Sequence, residues 1–423
     1  MVNKPNGVVY CIAFLLVYPV LRILFRLQVD RSSYHPPKGP FILLANHQSF
    51  MDFLLVMLAA YPHRLNAVAA QRYFYYRPLN WLLPFMGAIP KVLFEPDLRA
   101  ALAMRKVIKQ GNRLLLFPEG RDTVHGPYMG MSKDTGKLIK TLKVPVLSCT
   151  IEGSYTCMPF WRKTFRRGRI RVTLANLFTE QDTQELVVDE INRRIDARLS
   201  GEKVGGPSGA AVQTGHGSHQ KPLALFRAKK LAEGLENILY YCPVCQSEFT
   251  LETSGNAISC TVCGSGATMN SRAQLISPEG SNLPTTVADW YKAQVLFEKQ
   301  FLAPGKDLVR DEVIVWMPQD KGRGFTVCGQ GELRLTSKGW YYDGELLGER
   351  AQRYFALDTV PVVPFDPNSN IQICSQGSFY FFAPKNNPRA SAKYATLGEC
   401  AYWRFASSIK MTPGHSGFSE CAE

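Results

Sequence analysis

Through the first half of the chain, short apolar runs alternate with longer amphipathic ones, and turn residues fall between them. After the breaker cluster Pro36-Pro37-Lys38-Gly39-Pro40, the run Phe41-Ile42-Leu43-Leu44-Ala45 has the length and unbroken apolarity of a buried strand. Asn46-His47-Gln48-Ser49 then reads as a turn, and Phe50 to Ala60 as an apolar helix closed by Tyr61-Pro62. The pattern recurs, with strands at Asn66 to Ala70 and Arg113 to Phe117 and helices at Leu98 to Lys109 and 132–142. Val144-Pro145-Val146-Leu147 begins a further strand. This alternation predicts an α/β layer with a mainly parallel sheet, whose chemistry belongs at the carboxyl ends of the strands.

The second half has a different pattern. Residues 200–222 hold six glycines and no periodicity, and read as a flexible linker. A helix is expected over 223–240, a cysteine-bearing module over 241–266, and another helix over 285–302. From about residue 308, alternating and aromatic runs broken by turns predict a small antiparallel β domain covered by a last helix near 395–406. Its run Gly331 to Gly339 and final helix resemble a PH-like or GRAM-like fold at the level of architecture alone. The expected plan is a membrane-anchoring segment (1–34), an α/β catalytic layer (35–199) and the linker (200–222). A helix with a zinc ribbon (223–270) and a helix with the β-rich domain (271–423) complete it.

Val8 to Leu21 is a run of fourteen uncharged residues, followed by Arg22 and Arg26. That is short of the roughly 20 residues a spanning helix needs, and no small-residue cleavage site comes after it. The run reads as an interfacial or marginally spanning anchor, with Arg22, Arg26 and Arg31 reaching lipid headgroups. Basic flanks would keep the rest of the chain on the cytoplasmic face of the membrane. The net charge of +14 is uneven: residues 1–230 carry 33 Lys and Arg against 15 Asp and Glu, and the remainder carries 16 against 20. Only the first half is therefore suited to an anionic partner. The basic run Arg162 to Arg171, with Trp161 and Phe165 beside its charges, is read as lipid contact. Eleven cysteines without a paired framework indicate a reducing compartment.

His47 and Asp52 are five positions apart, which on one regular helix would turn them about 140° from each other. A helix capped at Ser49, with Asp52 in its first turn, would bring them together. A carboxylate on one imidazole nitrogen fixes the tautomer and frees the other nitrogen to accept a proton, the arrangement of a general base. An N-capping Asp beside a surface His has the same spacing, so the pair alone does not decide between the two.

The wider set of residues does. Asn46 to Asp52 resembles the NHxSxxD block of the glycerolipid acyltransferases, the PlsC-type or 1-acylglycerol-3-phosphate acyltransferase family. Phe117-Pro118-Glu119-Gly120-Arg121 resembles that family's FPEG block, Gly87 to Lys91 its intermediate block and Val144 to Leu147 its hydrophobic fourth block. The resemblance covers roughly residues 35–200. It implies that His47 is the base and Asp52 its partner, with Gly87, Lys91, Glu119, Gly120 and Arg121 on the acceptor. Lys91 and Arg121 are expected at a phosphate, and Glu119 is expected to orient a basic side chain or the acceptor hydroxyl; Arg72 is a weaker candidate. The implied donor is acyl-CoA or acyl carrier protein. The implied acceptor is a lysophospholipid, sn-2 of 1-acylglycerol-3-phosphate, giving phosphatidic acid, with no catalytic cofactor. The chain departs from the family in two places: Arg121 comes directly after Gly120, and Lys91 stands where Arg is usual. Both concern the acceptor, so another lysophospholipid or glycerol-3-phosphate is the alternative.

Cys242-Pro-Val-Cys245 and Cys260-Thr-Val-Cys263 are separated by fourteen residues, a zinc-ribbon spacing. Four thiolates would close a tetrahedral, structural Zn²⁺ site, and a unit this small would need the metal to fold. A ribbon beside a basic half would also suit a nucleic-acid-binding protein, but that leaves the four blocks unexplained, and no nucleic acid is expected. A non-catalytic lipid-binding scaffold would be expected to lose His47 or Asp52, and both are present. The expected partners are membrane lipids, and the sequence does not set an oligomeric state.

Overall fold

The computed structural model describes residues 3–201, 226–302, 307–319 and 324–408, so the expected linker lies almost wholly outside the described residues. Helix α1 (Gly7–Leu24) starts at Asn6, whose side chain accepts from the amides of Val8 and Val9. One face of α1 is docked: Tyr10 and Leu21 are buried, and the Tyr10 hydroxyl donates to the Leu65 carbonyl at 2.7 Å. The opposite face leaves Val8, Ile12, Leu15, Leu16, Val20 and Ile23 exposed. That spacing is one stripe of a 3.6-residue helix.

The first domain is a seven-stranded sheet. Its strands are β1 (Gln28–Ser33), β2 (Ile42–Ala45), β3 (Leu65–Ala70), β4 (Ile89–Lys91), β5 (Arg113–Leu116), β6 (Val146–Glu152) and β7 (Arg171–Phe178). Their spatial order is β1-β7-β6-β2-β5-β3-β4, and every pairing is parallel except β6 with β7. Central strand β2 is buried on both faces, as its four apolar residues require in a sheet covered on both sides. Helices α2 (Asp52–Ala59), α3 (Leu79–Phe85), α4 (Leu98–Lys109), α5 (Asp134–Leu142), α6 (Ser154–Cys157), α7 (Glu180–Glu185) and α8 (Val188–Ser200) connect and cover the strands. Helix α4 buries Ala100, Met104, Val107 and Ile108, an i, i+4, i+7, i+8 stripe. Strand β1 was not expected, because Gln28 to Ser33 is a polar edge with no periodic apolar face; β4 and β7 were not expected either.

Over the described part of 223–240 there is no α-helix, only a 3₁₀ turn at Leu235–Asn237. Gly234 has φ +95, and the Leu231 and Ala232 amides donate to the Asn256 side chain and the Gly255 carbonyl rather than into a helical ladder. The buried Gln294 side chain accepts from the Tyr240 amide and donates to the Ile238 carbonyl, so this apolar stretch is held as an irregular core segment.

Next in the chain is a four-stranded antiparallel sheet: β8 (Leu251–Ser254), β9 (Ala257–Cys260), β10 (Gly266–Met269) and β11 (Leu275–Ile276). After α9 (Val287–Lys299) come β12 (Val309–Pro318), β13 (Phe325–Leu335), β14 (Gly339–Leu346), β15 (Glu349–Ala356), β16 (Phe365–Asp366), β17 (Asn370–Ser375) and β18 (Ser378–Pro384). They form a second seven-stranded sheet, antiparallel throughout, ordered β15-β14-β13-β12-β18-β17-β16. Helix α10 (Ala390–Ser408) packs on it, longer than expected at both ends. One hydrophobic core runs from Val124, Tyr155 and Trp161 of the first domain through Leu235 and Trp290 to Trp340 and Leu397. The C-terminal domain is thus packed onto the first one.

Candidate active site

His47 sits just past the carboxyl end of β2, held there by bonds from three directions. Asn46 ties the strand end to β6: its side chain donates to the Ile151 carbonyl at 3.0 Å and accepts from the Ile151 amide at 2.7 Å. The His47 amide donates to Glu119 Oε1 at 2.6 Å, and its carbonyl accepts from the Thr123 amide at 2.9 Å. The imidazole lies over Phe117, with ring centroids 4.4 Å apart.

The His47 Nδ1 to Asp52 Oδ2 distance is 3.2 Å, and Asp52 is fully buried. Four more groups hold that carboxylate. The amides of Gln48 and Ser49 donate to Oδ2 at 2.5 and 2.7 Å, and the Ser154 hydroxyl donates to Oδ1 at 2.6 Å. The Ser49 hydroxyl also reaches Oδ1, at 3.2 Å. Ser49 is not the helix cap that the sequence suggested: α2 begins at Asp52 itself, after Met51. The hydroxyl of Ser49 is taken up by the carboxylate and by Ser154, 2.7 Å away, so the turn is closed by Asp52 accepting backward onto the loop. Among the described residues, His47 Nε2 has no hydrogen-bond partner. Burial pushes the His47 pKa down, but the hydrogen bond and charge of Asp52, with Asp122 and Glu119 beyond, outweigh it and leave the imidazole above its ordinary value.

Glu119 is buried, and its two oxygens accept from the His47 amide and, at 3.0 Å, from the Met129 amide. Burial lifts its carboxyl to about 8, against the pull of those amides. It orients the base-carrying loop rather than a cation. Gly120 has φ +75, and a Cβ there would come within 3.2 Å of the Phe94 ring, so the turn demands glycine. Its amide donates to the Phe117 carbonyl and is not free for a ligand.

The cations are placed differently from expectation. Both terminal nitrogens of Arg121 lie on the Glu399 carboxylate of α10, at 2.6 and 3.0 Å. Lys91 instead lines a cleft together with Arg72, which the sequence ranked lower. Lys91 Nζ donates to the Val92 carbonyl at 3.0 Å, and burial lowers its pKa against the charges of Asp97 and Glu95. Arg72 pairs with Asp366 at 3.3 Å. Gly87, with φ +70, is packed against Asn66, Asn3 and Pro5, where a Cβ would come within 2.6–2.9 Å of neighbours. It shapes the turn before β4. Ser154 was missed altogether: it lies 102 residues from Asp52 and carries no local signal.

The basic run is only partly a surface. Arg166 is buried between Trp161 and Phe226 and donates to the Leu231 carbonyl, while Arg162 bonds the Lys230 carbonyl. These arginines fasten the segment after 226 to the first domain, which corrects their reading as lipid contacts. Arg31, likewise, donates to the Ala59 carbonyl at 2.8 Å.

In the cysteine-bearing module, the sulfurs of Cys242, Cys245, Cys260 and Cys263 lie within 4.8 Å of one another. The Cys242–Cys263 and Cys245–Cys260 separations are 3.8 and 3.6 Å. A tetrahedral ion with metal–sulfur bonds of about 2.3 Å needs sulfurs about 3.8 Å apart, so the four thiols fit such an ion. Two tight turns present them, with the amides of Gln246 and Gly264 donating back to the Cys242 and Cys260 carbonyls.

Residues 26–152 match the family model described as Acyltransferase. A 1-acyl-sn-glycerol-3-phosphate acyltransferase of Chlamydomonas reinhardtii is 22% identical over 187 residues, which are 42% of this chain and 54% of that protein. The chain thus spans about half the length of the curated relative it matches. Among solved structures, the 1-acyl-sn-glycerophosphate (LPA) acyltransferase PlsC of Thermotoga maritima matches at 23% identity and a TM-score of 0.38, over 47% of this chain and 82% of that one. The family match covers all four sequence blocks and bears out the resemblance they carried.

Proposed function

We propose that the chain, whose residues 26–152 match the Acyltransferase family model, moves an acyl group from a thioester to the free hydroxyl of a lysophospholipid, with 1-acylglycerol-3-phosphate as acceptor. The observation that carries this reading is the His47–Asp52 pair, fixed by buried hydrogen bonds with Nε2 unpartnered. Nε2 takes the proton of the acceptor hydroxyl as its oxygen attacks the thioester carbonyl. The carbon–sulfur bond then breaks, and the imidazolium returns the proton to the departing thiolate, so no enzyme nucleophile is consumed. Asp52 holds the tautomer and stabilises the transient imidazolium. Arg72 and Lys91 supply the positive charge that suits the acceptor's phosphate. The donor is acyl-CoA or acyl carrier protein.

The exposed stripe of α1 supports membrane attachment. A helix docked by one face and apolar on the other is suited to lie in the headgroup region, here on the cytoplasmic face. The four-cysteine cluster is proposed to hold a structural Zn²⁺. Purified full-length chain should convert labelled acyl-CoA or acyl carrier protein thioester and 1-acylglycerol-3-phosphate to phosphatidic acid. His47→Ala should lose about 10²–10⁴-fold in rate with an unchanged circular dichroism spectrum. Normal turnover in that variant would refute the assignment.

A further inference from the structure

The C-terminal sheet domain does more than pack near the catalytic layer; it meets the strand ends that carry the cations. Arg72 of the first domain is paired with Asp366 of β16, and Arg121, directly after the Glu119-Gly120 turn, is paired with Glu399 of α10. Glu399 accepts in addition from the Val363 amide at 3.2 Å, which fixes the loop between β15 and β16 against the same turn. The Gly324 amide donates to the Tyr75 carbonyl at 2.6 Å, and the Tyr75 ring sits 5.8 Å from Phe325 and 6.1 Å from Phe379.

These contacts leave a small cleft, partly open to solvent, with one wall from each domain. The first domain provides Arg72, Lys91, Leu93 and Phe94; the C-terminal domain provides Thr359, Val360, Val362, Pro364, Gln372 and Phe379. Phe94 rests on Gly120, which joins this cleft to the turn whose Glu119 holds the His47 amide. The two cations therefore face a largely apolar wall. Glu95, the carboxylate lining the cleft, accepts from the Gly377 amide. Such a space suits a phosphate at Lys91 and Arg72, and its mostly apolar C-terminal wall offers little to a polar group esterified beyond it.

Resting on the transferase reading above, we infer that the C-terminal sheet domain is the specificity wall of the acceptor site, admitting phosphomonoester lysolipids and rejecting phosphodiester ones. The headgroup is then read by residues roughly 300 positions from the base, and the C-terminal domain is part of the enzyme's substrate site. Asp366 acts as a positioning residue for Arg72.

Two substitutions test this in full-length protein, with 1-acylglycerol-3-phosphate and 1-acylglycerol-3-phosphoethanolamine as rival acceptors. Thr359→Trp adds bulk at an exposed position lining the cleft. It should raise KM for the monoester at least about fivefold, leaving KM for the thioester unchanged. Phe379→Ala removes wall and should raise kcat/KM on the phosphoethanolamine acceptor about tenfold relative to the monoester. Arg350→Ala, an exposed change elsewhere on the same sheet, should alter neither. If Phe379→Ala melts early, Thr359→Trp decides alone. Unchanged acceptor KM and headgroup ratio beside an active wild type overturn the wall and leave the transferase reading standing. A wild type that acylates no lysophospholipid from either thioester overturns the transferase reading, and the wall with it.

Discussion

The proposed base and the cations proposed for the acceptor are held on different scales. At the base end, every group on Asp52 comes from the loop it closes or from Ser154, and four of them lie within five residues of it. At the cation end, Arg72 and Arg121 are each paired with acids some 300 residues away in another domain. The base is therefore a local device that one short block of sequence can specify. The acceptor end is an agreement between two domains, and can change with either one. Reaction type and acceptor choice are in this sense separable in the molecule.

Asp52→Ala strikes only the local device. It removes the tautomer lock and the acceptor for two amides and two hydroxyls, so kcat should fall about 10²–10⁴-fold, with KM for the acceptor changed little. A variant that instead loses acceptor affinity would show the two ends to be coupled. Glu399→Gln strikes the agreement between domains. Arg121 is left charged at a site where its side chain is only 11% exposed, and the cost should be about 3–5 kcal/mol of stability. The melting midpoint measures it, and an unchanged midpoint would mean the pair does not hold the domains together. The smallest effect is expected at neither end: Leu16→Glu, on the exposed stripe of α1, should weaken liposome flotation several-fold and leave activity on detergent-dispersed acceptor intact.

The same difference of scale explains what the sequence disclosed. The parallel layer was legible because β2 and β5 are short apolar runs and α4 carries a clean helical stripe. His47 and Asp52 were legible because their contact is made across one turn, though the device that closes it is a carboxylate accepting from the loop and not a Ser49 cap. The four cysteines were legible through spacing. Where a partner is distant, the local pattern misled. Arg121 looked like a free phosphate contact because Glu399 cannot be paired with it from the sequence. Arg166 looked like surface because Trp161 and Phe226 bury it only in three dimensions. The apolar stretch before Tyr240 looked helical because burial on all sides has no period, and its backbone bonds run instead to Gly255, Asn256 and Gln294.

The base end carries the central claim, and its pH dependence tests it. His47 must be neutral to accept a proton, and Asp52 holds its pKa above the ordinary value against burial. Activity should therefore be lost as pH falls through a midpoint above the unperturbed value of about 6.5. Asp52→Asn removes the main raising contribution and leaves burial to dominate, so the acid limb of kcat/KM should move to lower pH while the plateau falls. The decisive measurement is kcat/KM against pH for wild type and Asp52→Asn with 1-acylglycerol-3-phosphate. A downward shift of the acid limb in the variant is the predicted result; an acid limb that stays where it was contradicts the assignment of His47 as the base held by Asp52.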